Sequence, residues 1–139
     1  MTAVVDASTL VAALVDSGPV GAWAESMLLS GPLAAPHLLP VEVASILRRM
    51  VRAGELSTDV AALAHRDLLE LRVELFPYAP FGPRIWQLRE NLTSYDAWYV
   101  ALAEAIEAPL ATLDARLTRA PGLRCRFVTP TSEVDAPAG

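Results

Sequence analysis

Asn91-Leu92-Thr93-Ser94-Tyr95-Asp96-Ala97-Trp98-Tyr99-Val100-Ala101-Leu102-Ala103-Glu104-Ala105 decides how this chain folds. Thr93 or Ser94 can cap a helix N-terminus, and good helix formers follow with no Gly or Pro until Pro109. Between Glu90 and Glu104 the only charge is Asp96. The rest of that helix is apolar nearly all round, the pattern of a helix buried inside a domain. Asp96 in its first turn therefore stands at the edge of a core, against the positive end of the helix dipole.

Around this central helix the chain alternates short apolar runs with helical stretches. Ala3-Val4-Val5 reads as a buried parallel strand ended by Asp6, and Ser8 caps a helix over 9–15. A second helix spans 20–30, and Leu33-Ala34-Ala35 forms the second strand. Pro40 opens the next helix with Glu42 in its first turn. Val43, Ile46, Leu47 and Met50 line its core stripe, and Gly54 stops it. Ser57 caps a helix reaching Leu71, Val73-Glu74-Leu75-Phe76 is a strand, and residues 80–89 form a short helix. Beyond the opening stretch, strands over 109–112 and 126–128 flank a helical turn over 115–119. Strands alternating with helices predict a three-layer α/β/α domain with a central parallel sheet, residues 1–129, and a frayed tail over 130–139.

Composition narrows the function classes. The 139 residues are 53% hydrophobic and 19% charged, enough apolar material for the core of one soluble domain. Mean hydropathy is +0.36, yet no apolar run is long and charge-free enough to span a bilayer, so no membrane partner is expected. No basic region precedes the first apolar stretch, which argues against a signal peptide. A single Cys125 permits no internal disulfide and fits a reducing cytoplasm. Cys125 lies between Arg124 and Arg126, but a small hydrophobe on the last strand is the simpler reading. The net charge is −5, and all 11 basic residues are Arg. Bulk charge does not announce a nucleic-acid partner; a local Arg patch or bound cations would have to supply the attraction.

The acids carry the functional signal. Asp6 and Asp114 follow the C-terminal ends of strands, while Glu42 and Asp96 lie in first helical turns. In an open parallel sheet these places share one edge, where ligands bind. Each acid also has a plain explanation as a helix cap or a dipole partner. Jointly, four acids at one rim repel one another unless a cation neutralises them. A carboxylate cluster suits a hard divalent ion such as Mg2+ or Mn2+, which can activate water for attack at phosphorus. Ser8 and Thr112 carry hydroxyls beside that rim, and Arg49 shares a helix face with Glu42. His37 and His65 lack metal-ligand spacing, and no Gly-rich phosphate loop is present. Trp98 and Tyr99 read as core residues, and Tyr95 as an aromatic at the rim.

These blocks resemble the PIN-domain ribonucleases, specifically the VapC-type toxins of bacterial toxin–antitoxin pairs. The likeness rests on Val4-Val5-Asp6-Ala7-Ser8, Ala35-Pro36-His37-Leu38-Leu39-Pro40-Val41-Glu42-Val43, Leu92-Thr93-Ser94-Tyr95-Asp96-Ala97-Trp98-Tyr99-Val100-Ala101-Leu102-Ala103 and Leu110-Ala111-Thr112-Leu113-Asp114-Ala115-Arg116-Leu117. By resemblance, Asp6, Glu42 and Asp96 match three core metal-binding acids and Asp114 a more variable fourth. Ser8 and Thr112 match hydroxyls that support them. The resemblance implies Mg2+- or Mn2+-dependent hydrolysis of RNA, leaving a 5′-phosphate and a 3′-hydroxyl, with a cognate antitoxin and a homodimer as partners. A phosphoacceptor receiver domain also carries an acidic pocket, but it needs a lysine and the chain has none. A catalytically idle PIN-like interaction module is the remaining alternative.

Overall fold

The computed structural model describes residues 1–130, so the expected tail lies, apart from Pro130, outside the described residues. Among the described residues, five strands are interleaved with seven α-helices: β1 Ala3–Val5, α1 Ala7–Val15, α2 Pro19–Leu29, β2 Leu33–Pro36, α3 Leu39–Arg52, α4 Thr58–Glu70, β3 Val73–Phe76, α5 Gly82–Gln87, α6 Ser94–Ala105, β4 Leu110–Ala111, α7 Ala115–Thr118 and β5 Phe127–Val128. A single 3-10 turn, Ala79–Phe81, leads into α5. The stretch expected to be one helix over 80–89 is thus two shorter pieces.

Every strand pairing is parallel, in the order β3-β2-β1-β4-β5. Strands β1 to β3 step outward in one direction and β4 and β5 in the other. The order therefore reverses between β1 and β4, where Val4 lies opposite Leu110 and Val5 opposite Ala111. At such a reversal the loops diverge and leave a crevice above the strand ends.

Side-chain alternation along the strands divides the interior into two cores. Val4, Ala34 and Leu110 belong to the larger, filled by α6, Ile85 and Leu88 and the inner faces of α3 and α4. Ala3, Val5, Leu33 and Ala111 belong to the other, closed by Trp23, Ala24 and Met27 of α2. Helix α1 serves both, giving Leu10 and Val11 to the first and Ala12 and Ala13 to the second. The central helix α6 is buried from Tyr99 through Ala103, as its near-continuous apolar sequence requires. Truncating its fully buried Leu102 to Ala would cost about 2–5 kcal/mol.

Local caps explain where the helices start. Thr93 accepts a hydrogen bond from the Asp96 amide, and Ser57 accepts one from the Val60 amide. Helix α1 departs from expectation: it begins at Ala7, and its cap is Asp6, which accepts from the Thr9 amide. Ser8 instead donates its hydroxyl to Asp6. Helix α3 starts one residue before Pro40 and ends ahead of Gly54, whose φ of +74° is the left-handed conformation glycine adopts without strain. Cys125 lies just before β5, half-buried, and burial with the nearby Glu104 pushes its thiol up to about 11. It is an inert small hydrophobe, not a thiolate activated by its Arg neighbours.

Candidate active site

Asp6, Glu42, Asp96 and Asp114 line one cavity of about 520 Å3, together with Ser8, Arg49, Tyr99 and Arg116. Four separate stretches of chain deliver the acids. Asp6 ends β1, Asp114 follows β4, and Glu42 and Asp96 lie in the first turns of α3 and α6. The cavity sits where strand order reverses. Thr112 stays behind it, fully buried, and reaches it through Asp6.

Asp6 is the most firmly held. Its Oδ1 accepts from the Ser8 hydroxyl at 2.8 Å and the Thr9 amide at 2.9 Å. Its Oδ2 accepts from the Thr112 hydroxyl, which in turn accepts from the Asp114 amide at 3.0 Å. The same threonine thereby ties two acids from neighbouring strands into one network. Charge-assisted donors of this kind hold a carboxylate in a fixed orientation. Asp114 uses Oδ1 to cap α7, accepting from the amides of Arg116 and Leu117.

Glu42 and Asp96 carry the electrostatic strain. Burial, then the neighbouring Asp96 and Asp6 charges, raise the Glu42 carboxyl, against the lowering effect of a 2.7 Å hydrogen bond from the Tyr99 hydroxyl. Asp96 is raised by burial, then by Asp114 and Asp6, with Thr93 and Arg116 pulling the other way. Burial and the Glu42 contact also push the Tyr99 phenol up, so it stays a donor. Both acids would be relieved by a cation placed among them.

The donor set consists of carboxylates and hydroxyls with no histidine or thiolate, which fits Mg2+ or Mn2+ and not a softer metal. Among the described residues, no three acid, His or Cys side chains already form a coordination shell. The carboxylate oxygens are engaged by Ser8, Thr112, Tyr99 and helix amides. Two lining residues escaped the sequence reading. Tyr99 passed for core as an aromatic on the apolar central helix, and it is only 3% exposed, yet it follows Asp96 by three residues and so shares its helix face. Arg116 lies two residues after Asp114 and adds a second fixed positive charge to a lining that already holds Arg49.

The PIN domain profile matches residues 3–123. The chain belongs to the PIN-domain family. It is 44% identical over 125 residues to Ribonuclease VapC1 of Mycobacterium tuberculosis, covering 89% of this chain and 94% of that protein. The PIN domain also superposes on PAE2754 from Pyrobaculum aerophilum with a TM-score of 0.72 and 23% identity, over 97% of this chain and 88% of that one. A further neighbour, from VapBC2 of Rickettsia felis bound to a promoter DNA fragment, has a TM-score of 0.63 at 14% identity, over 93% and 98%. These likenesses agree with the three-layer fold, and no helix among the described residues is long and apolar enough to cross a membrane.

Proposed function

We propose that this PIN domain is the ribonuclease toxin of a toxin–antitoxin pair, with Asp6, Glu42, Asp96 and Asp114 holding Mg2+ or Mn2+. The observation that carries the reading is the meeting of these four acids, from four distant stretches, in one cavity at the strand reversal. A relative with 44% identity that is itself a ribonuclease supports it. When bound, the metal lowers the pKa of water and stabilises charge developing on a phosphodiester oxygen.

The protein's own groups do the positioning. Ser8, Thr9 and Thr112 fix the Asp6 carboxylate, and Tyr99 holds one oxygen of Glu42. Arg49 and Arg116 line the same cavity and can pair with the phosphates flanking the cut. This local positive charge offsets the repulsion an RNA chain would meet from a protein of net charge −5.

The pairing partner is a cognate antitoxin in the cytoplasm, supported by the structural likeness to a VapBC complex. An antitoxin Arg that forks onto these carboxylates would compete with the metal, so inhibition should weaken as Mg2+ is raised. Full inhibition at every Mg2+ concentration would place the blockage elsewhere. A homodimer is supported by exposed Val60 and Leu63, one turn apart on α4, and a clean 14.9 kDa species in sedimentation at micromolar concentration would count against it. The deciding experiment for the reaction is cleavage of a mixed RNA pool with and without chelator. Cleavage with Mn2+ that stops on chelation is the expected result. No cleavage under either condition would leave the idle interaction module as the better reading.

A further inference from the structure

The first two turns of α6 present two faces. Asp96 and Tyr99 line the acidic cavity, whereas Ser94, Tyr95 and Trp98 line a separate cleft with Leu38 and Tyr78. Leu38 lies between β2 and α3, and Tyr78 follows β3, so this cleft also opens at the carboxyl edge of the sheet. It encloses about 170 Å3, comparable with the ~150 Å3 that takes up a benzene ring in an engineered apolar cavity. Tyr78 meets Trp98 edge to face, with ring centroids 5.3 Å apart and planes at 79°, so the two walls brace each other. Tyr95 and Tyr78 are nonetheless 60% and 45% exposed. No charged side chain lines the cleft.

We propose that this cleft is a stacking subsite for one unpaired nucleobase of the RNA, with Tyr95 as its platform and Tyr78 and Trp98 as its walls. The inference rests on the RNA-cleaving reading of the neighbouring cavity. Adjacency favours a base over other flat ligands: Tyr95 and Asp96 are consecutive, with Cα atoms about 3.8 Å apart. Because the cleft and the acidic cavity are lined from neighbouring faces of the same turn of α6, a phosphodiester held at Asp96 has a flanking base within reach of the cleft. Aromatic faces accept any base by stacking, while hydrogen-bonded duplex bases are already stacked on each other and cannot enter. The substrate class is then single-stranded RNA or the unpaired part of a folded one. Tyr95 acts as a specificity-determining residue and takes no part in the chemistry.

The test compares wild type, Tyr95→Ala and Tyr95→Phe on a labelled single-stranded RNA decamer that wild type cuts once in Mn2+. Tyr95→Ala should raise KM about 10–100-fold, with kcat within about threefold, and Tyr95→Phe should restore the wild-type KM. A decamer series with one abasic nucleotide moved along it should show a single sensitive position beside the cut in wild type and none in Tyr95→Ala. Unchanged KM in Tyr95→Ala, or an abasic effect that persists in it, would overturn the subsite. So would sedimentation in which Tyr95→Ala turns a dimer into a monomer, since the cleft would then belong to a second copy of the chain. If wild type cuts no RNA, the cleavage reading fails separately. Anisotropy of a labelled single-stranded RNA decamer, which needs no cleavage, still decides the subsite, because Tyr95→Ala must bind it more weakly than wild type; equal binding refutes it.

Discussion

Thr112→Val tests whether one buried hydroxyl couples two acids. Thr112 is fully buried, and its Oγ1 donates to Asp6 Oδ2 while accepting from the Asp114 amide at 3.0 Å. Valine keeps the shape and removes both bonds. The bond to a carboxylate is worth about 1.5–3 kcal/mol and the amide bond about 1 kcal/mol. Asp6 keeps Ser8 and Thr9 on its other oxygen, and water from the open cavity can replace part of what Oδ2 loses. The net cost should thus be about 2 kcal/mol, a fall in Tm of roughly 6–10 °C for a domain of this size. With Oδ2 no longer held by Thr112, the Asp6 carboxylate can shift about its remaining Oδ1 bonds, and RNA cleavage in Mn2+ should fall more than about tenfold, since a small displacement of a positioned group costs that much.

Thr112→Ser is the control. It keeps the hydroxyl and sacrifices a methyl group, at about 1 kcal/mol. Thermal unfolding of metal-free protein and the rate on a defined RNA are the two assays. Serine should be less stable than wild type yet cleave at nearly its rate, whereas valine should lose both. A valine variant that melts and cleaves like wild type would refute the coupling, as would a serine variant that cleaves worse than valine.

The remaining expectations use the same assays. Asp6→Asn and Asp96→Asn should each abolish cleavage without unfolding the protein, and a purified variant that cuts at the wild-type rate in Mg2+ would remove that acid from the site. Asp96→Asn should also raise the metal-free Tm, because burial and then repulsion from Asp114 and Asp6 disfavour its charge; an unchanged or lower Tm would contradict that balance. Added Mn2+ should stabilise wild type by about 2.7 kcal/mol at a hundredfold excess over Kd, and should do nothing for the Asp6→Asn, Glu42→Gln, Asp96→Asn triple variant. Away from the cavity, Glu104 pairs bidentately with Arg84 at 2.7 and 3.2 Å and accepts from the Arg124 amide. Burial works to raise the Glu104 carboxyl, but Arg84 and the Arg124 amide bring it below its ordinary 4.5. Its contribution is therefore complete above pH 4.5 and is lost as pH falls through the depressed folded value. Glu104→Gln should cost about 2 kcal/mol at pH 7 and show a shallower loss on acidification below pH 4.5; parallel acid limbs would refute the assignment.

The sequence made the elements and their alternation readable because the relevant signals are local. A cap, an apolar run and a breaking Gly or Pro all act within a few residues. Helix α6 is the clearest instance: its boundaries follow from Thr93 and from the uninterrupted helix formers after it. Sheet order was not legible, since pairing between β1 and β4 joins residues more than a hundred positions apart. Tyr99 and Arg116 were missed for a related reason. Their roles depend on what other elements bring beside them, Glu42 in one case and the acidic wall in the other. Ser8 supports Asp6 as the resemblance implies, but the cap role read for it falls to Asp6, because a Ser and an Asp two residues apart can both cap one helix and only the backbone path out of β1 selects between them.

That last case bears on how the acids are to be understood. Capping and ligand binding looked like competing explanations for Asp6 and Asp114. In the folded chain each does both. Asp6 caps α1 and lines the cavity; Asp114 caps α7 and lines the same cavity. A carboxylate has two oxygens, and in both residues Oδ1 takes the helix amides. The cap fixes the side chain's rotation against rigid backbone, and the second oxygen inherits that orientation. A cation site assembled from such residues gains its order from bonds the fold already makes, so less ordering entropy remains to be lost on binding. It also explains why the strand reversal is the place for it. There the ends of β1 and β4 stand side by side, and a helix begins within a few residues of each. Two capping carboxylates are then brought to one cavity by the topology itself, and Glu42 and Asp96 need only the first turns of α3 and α6 to complete the set.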